Sequence, residues 1–114
     1  MIPSDTANPQ PNPHPNPHRG EATLLVAGTL HVLRPSFTAL VAAEEELGPL
    51  FALVERASEG QLRLAEIAAL FWHCCRAHDH LSREAVGDAV LAMGLAGAAA
   101  PLRELLRQIL QGQA

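Results

Sequence analysis

Between Glu21 and Arg34 the chain reads "EATLLVAGTLHVLR", two short β-prone apolar runs on either side of Ala27-Gly28. That pattern predicts a β-hairpin, with glycine supplying the positive φ of the turn and Leu24, Val26 and Val32 forming its apolar face. Two strands alone are marginal in water, so this face must rest on something else. From Ser36 onward the spacing of apolar positions becomes helical. In "SFTALVAAEEELG" Ser36 is placed to cap a helix and Gly48 to end it, with Phe37, Leu40, Val41 and Leu47 sharing one broad face. "PLFALVERAS" predicts a second helix, opened by Pro49 and stopped before Gly60. A third should run from Leu64 to His78, and a fourth from the cap Ser82 through Ala85, Val86, Ala89, Val90 and Met93 to Gly94. The last takes Pro101 into its first turn and carries Leu102, Leu105, Leu106, Ile109 and Leu110 on one face. The expected fold is mainly α: an N-terminal β-hairpin followed by a compact bundle of about five short helices.

Ahead of the hairpin, "NPQPNPHPNPH" places proline at every second position, which removes alternate amide donors and turns each preceding residue away from helix. Residues 1–20 are therefore expected to be a disordered, proline-rich tail, and residues 21–114 a single domain. A chain of 114 residues is long enough for one modest core. Its formal charge of −4 lacks the cationic excess that drives nonspecific binding to phosphate backbones or anionic lipid, so neither nucleic acid nor membrane is an expected partner. Every basic residue is arginine and lysine is absent, a bias in composition from which no function is drawn. The first residues lack the basic and apolar regions of a secretory signal, and no uninterrupted apolar run approaches the roughly 18 residues of a bilayer span. Vicinal Cys74 and Cys75 are poorly placed to bridge each other without strain, and two free thiols suit a reducing cytoplasm.

The candidate chemistry is concentrated in "FWHCCRAHDH", Phe71 to His80. With Ile67 at zero and about 100° per residue, Phe71 falls at about +40°, Cys74 at about −20° and His78 at about +20°. Leu64 and Leu70 flank this stripe. Trp72 and His73 lie about 140° and 120° away, facing outward or toward another element. Cys74 and His78 could offer two ligands at i and i+4, yet a tetrahedral zinc needs four, and no Cys-x-x-Cys pair supplies the rest. A Cys–His nucleophile is the second sharp reading, but a thiol in the middle of an apolar stripe is ordinarily inert, and no oxyanion loop, phosphate loop or carboxylate pair accompanies it. A helix-turn-helix reading of residues 64–90 meets a second helix with one Arg against Glu84 and Asp88, too few donors for phosphates and bases. No enzyme, metal or cofactor is expected, and Cys74 reads best as a small core hydrophobe.

Across Arg19 to Leu110 the segments "RGE", "LRPSFTAL", "EEELG", "GQLRLAEIAALFWHC", "REAVGDAV", "MGL" and "PLRELLRQIL" occur in an order that resembles the gene transfer agent family of small proteins grouped with phage tail assembly chaperones. The resemblance implies a noncatalytic cytoplasmic protein of a bacterial tail-gene cluster that binds the tape-measure protein during tail assembly. A minor structural protein of the tail or of the head–tail junction is the alternative, and a homo-oligomer stays open. The family offers no catalytic residues. A chaperone for helical partners needs an apolar groove or stripe, for which Trp72, Leu102, Leu105 and Leu106 are the candidates. For the leucines the competing reading is closure of the domain's own core.

Overall fold

The computed structural model describes residues 21–112, so the expectation of a disordered tail over residues 1–20 falls outside the described residues. The hairpin consists of β1 (Ala22–Val26) and β2 (Thr29–Leu33), antiparallel, with Val26 opposite Thr29 at the turn and Ala22 opposite Leu33 at the far end. Ala27 and Gly28 both have positive φ, 49° and 85°, as a type I′ turn requires of its two central residues. Ala22, Leu24 and Val26 face inward and are buried, while Val32 is only half-buried on the opposite face. Alternation along β2 places Leu33, not Val32, in the core.

Helix α1 (Phe37–Leu47) is capped by the Ser36 hydroxyl, which accepts from the Ala39 N–H at 3.2 Å. Its inward face differs from the expected one. Ala39 and Ala43 are buried, whereas Phe37 is 85% exposed and Val41 also faces solvent. Phe37 and Val41 lie about 160° round the helix from Ala39 and Ala43 respectively. The alanines let α1 approach α3 closely, and Leu40 and Leu47 fill the margins of that contact. Helix α2 (Leu50–Ser58) buries only Leu53 and leaves Phe51 82% exposed. Arg56 ties it to α3 through Glu66.

Helix α3 (Leu64–Cys74) ends four residues earlier than its periodicity predicts. Cys75 adopts extended backbone and pairs with Leu33 in an isolated antiparallel bridge, and the Arg34 N–H donates to the Cys74 carbonyl at 2.8 Å. Pairing with β2 competes successfully with another helical turn, and a short 3₁₀ turn follows at His78–His80. His78 consequently leaves the core stripe. Its Nδ1 donates to the Cys75 carbonyl at 2.9 Å, near the surface.

Helix α4 (Arg83–Gln111) is capped by Ser82, whose hydroxyl accepts from the Ala85 N–H at 2.9 Å, and is broken at Gly94 (φ 81°, ψ 153°). The fourth and fifth expected helices are the two halves of this element. The second half begins before Pro101 rather than at it, because the alanine-rich run 96–100 is itself helical and Ala98 is buried against the core. Pro101 therefore sits inside the helix. Counted through Gly94, α4 is long and apolar enough to cross a membrane by length and composition. The break divides it, however, into halves shorter than the roughly 20 residues a span needs, and buried faces of both halves join the core. That core gathers Leu24 and Leu33 of the hairpin, Leu70 and Phe71 of α3, and Val86, Val90 and Leu105 of α4. Burial of such side chains stabilises by roughly 1.5–3 kcal/mol each relative to exposure.

Candidate partner-binding surface

Trp72 sits where α3, the 3₁₀ turn and the start of α4 meet. Its indole N–H donates to the Leu81 carbonyl at 2.6 Å, and the Arg83 guanidinium lies 4.4 Å from the ring centroid. The rings of His73 and His78 pack against it at 5.0 and 4.8 Å. Trp72 is thus half-buried, with its polar tip satisfied inside the molecule. Periodicity places it off the α3 stripe correctly, but the residues that receive it come from later in the chain.

Beside it, Glu46 of α1 accepts two hydrogen bonds from Arg83, at 2.9 and 2.6 Å, and one from Nε2 of His73 at 2.8 Å. The shorter contact of Nε2 is to this carboxylate, and Arg83 Nη2 lies farther off at 3.3 Å, which assigns the proton to Nε2. Hydrogen bonds from Arg83 first, and then from His73, hold the Glu46 carboxyl down at about 2 against an ordinary 4.5. The triad joins three helices. Sequence reading takes Glu44 to Glu46 as a solvated face, because nothing local reveals a partner 37 positions away. Glu66 is likewise held below the usual carboxylate range, by Arg56 and then by the Arg63 N–H at 2.9 Å.

The thiols carry no activated chemistry. Burial, reinforced by Cys75, pushes the Cys74 thiol up to about 12, and burial pushes Cys75 up to about 11. Both stay protonated at neutral pH, and a protonated thiol is a poor nucleophile. A concavity of about 570 Å³ is lined by Trp72, His73, Cys74, Cys75 and His78, among others. Among the described residues, no group of three or more His, Cys, Asp or Glu is arranged to hold a metal ion.

A second, smaller opening lies on the other helices. Leu50, Phe51 and Val54 of α2 face Ile109 and Leu110 at the end of α4 across a groove of about 150 Å³, lined by apolar side chains alone. Its volume is below the roughly 300 Å³ at which small-molecule pockets begin, and suits an anchoring side chain of a partner. Of the leucines expected to bind partners, Leu105 is 0% exposed and lies in the core, where it is not available to a partner. Leu102 and Leu106 are half-buried against it. Phe51 and Leu110 are the residues that sequence reasoning passes over. Phe51 is counted there only as part of a helix, and Leu110 as one more position of a closing stripe.

The hairpin and the small helical core define a class: a small, mainly helical module with an N-terminal β-hairpin. Residues 19–112 match the family described as phage tail tube protein, GTA-gp10, and the chain belongs to that family. Its place among gene transfer agent and phage tail proteins agrees with the resemblance seen in the sequence. The description names a tube protein rather than a chaperone. No curated protein and no solved structure matches the chain.

Proposed function

We propose that this tail protein is a noncatalytic assembly chaperone that binds an apolar helical segment of the tape-measure protein and keeps it soluble until the tube closes around it. The observation that carries this reading is the all-apolar groove between α2 and the end of α4, with Phe51 82% exposed at its rim. An amphipathic helix presents anchors at i, i+3, i+4 and i+7, and such anchors seat in apolar grooves of this kind. Leu105 and Leu106, on the helical half that ends at the groove, would support the contact from behind, while Trp72 and Leu102 lie outside the groove's lining. The net charge of −4 helps keep a complex with an apolar partner in solution. The cytoplasm is the compartment in which such a chaperone would act.

A second reading follows from the family description itself: a structural component of the tail, retained in the finished particle. The two separate in one experiment. Tagged protein is recovered from cells expressing the neighbouring tail genes, and purified particles are analysed by mass spectrometry. The chaperone reading expects a long tape-measure partner in the pulldown, its loss with Phe51→Glu, and no stoichiometric copy in particles. A fixed stoichiometry in particles would replace it with the structural reading.

A further inference from the structure

The parity of the hairpin fixes which main-chain groups face outward. A two-residue loop makes Val26 and Thr29 a hydrogen-bonded pair, and bonded and non-bonded pairs alternate from there. Leu25 with Leu30, and Thr23 with Val32, are then the non-bonded pairs, whose N–H and C=O groups point away from the partner strand. Arg34 checks this independently, since it lies two residues beyond Val32 and its N–H does point outward, to the Cys74 carbonyl. The outer edge of β2 is thus engaged at its end, by that bond and by the Leu33–Cys75 bridge.

Helix α4 packs against β1, but among the described residues nothing bonds to the outer edge of this strand. Among the described residues, no group outside the hairpin donates to or accepts from the main chain of Thr23 or Leu25. An open concavity of about 360 Å³ runs beside it, between Glu21, Ala22 and Thr23 on one side and Met93, Ala100, Pro101 and Glu104 on the other, and its two carboxylates are paired with Arg34 and Arg107. Leu25 is 57% exposed. The strand reads "ATLLV", with none of the lysine, proline or inward charge that ordinarily blunts an edge.

We infer that β1 pairs with β1 of a second copy of this chain, antiparallel about a twofold axis, to make a four-stranded sheet. A register centred on Leu24 sets Thr23 against Leu25 of the other copy, and Leu25 against its Thr23. These are the residues whose main-chain groups face outward, so the pairing forms up to four hydrogen bonds. The five residues carry no charge, so the strand meets itself without like-charge repulsion, as a self-complementary twofold interface requires. A four-stranded sheet also passes the threshold below which strands are marginal in water. A helical partner keeps its main-chain groups bonded internally and cannot fill this edge, which makes the site independent of the α2–α4 groove.

Sedimentation velocity on the full chain over a concentration series tests the pairing, with Leu25→Pro and Leu25→Lys as variants. Proline at position 25 removes the outward N–H and leaves the hairpin's own bonds intact. Lysine places a charge on the edge and keeps the backbone donor. The expected result is a concentration-dependent dimer for the unmodified protein and monomers for both variants, with unchanged far-ultraviolet circular dichroism. Should Leu25→Pro fail to fold, Leu25→Lys decides. A protein that stays monomeric to its highest soluble concentration overturns the inference, as do variants that dimerise undiminished. Hydrogen exchange at Thr23 and Leu25 should slow on dimerisation. Slowing only when another tail protein is added would assign the edge to a foreign strand and overturn the pairing of copies.

Discussion

Cys74 and Cys75 are buried side by side for different reasons. Cys74 belongs to the apolar stripe of α3, which helical arithmetic locates without any structure. Cys75, a further 100° round, would leave that stripe if the helix continued, yet extended backbone at that residue turns it inward against β2. Glu46 shows the same divide between local and distant causes, because its partners lie on α3 and α4. Its carboxyl is held at about 2, below its ordinary 4.5 in the unfolded chain. The stabilisation is therefore fully present above about 4.5 and is lost as pH falls from there toward about 2. Glu46 is 40% exposed, so solvent screening holds the pair with Arg83 to about 1 kcal/mol or less. Thermal unfolding of Glu46→Gln should show a smaller fall in Tm than the unmodified protein across that acid range, and the difference should shrink in high salt. An equal fall in both would mean that the triad contributes nothing to stability.

At the scale of elements, period and punctuation locate segments better than they orient them. Ser36 and Ser82 cap helices where expected, but the inward face of α1 is set by alanines that a hydrophobicity stripe passes over. Close approach to α3 favours the smaller side chains, and Phe37 is left to solvent. Gly94 is read from the sequence as a helix end, and the structure gives it a sharper role as the break between two helical halves. Its φ of 81° with ψ of 153° lies in a region open essentially to glycine alone. Space is not the obstacle, since nothing lies within 4 Å of where a Cβ would stand. Gly94→Ala should consequently destabilise by about 1–3 kcal/mol through backbone strain alone, measured by urea denaturation. A neutral result would show that the two halves can rejoin without strain.

For the whole molecule, the family match begins at residue 19 and the core closes among residues 21–112. The core cluster is built from described residues alone, and the Glu21–Arg34 ion pair closes the open end of the hairpin at 3.0 Å. Deletion of residues 1–18 should accordingly leave the thermal transition of the domain within about 0.5 kcal/mol of the full chain, by calorimetry. A large drop would show that the tail packs on the domain. The proposed partner surface also belongs to this scale. Residues 50–54 and 109–110 form one groove only because α2 and the end of α4 are brought together, and the outer edge of β2 is bridged only because α3 ends where Cys75 can reach it.

The sequence by itself determined the features whose causes are local: the hairpin and its turn, the serine caps, the number of helical segments, and the burial of Cys74. These follow from φ preference, capping and a period of 3.6, which act within a few residues. Tertiary structure alone decided where α3 stops, which face of α1 points inward, that Leu105 is core while Phe51 is surface, and that the segment after α3 pairs with the edge of β2. Each of those is a competition between contacts far apart in the chain, and no pattern of neighbours records which contact wins.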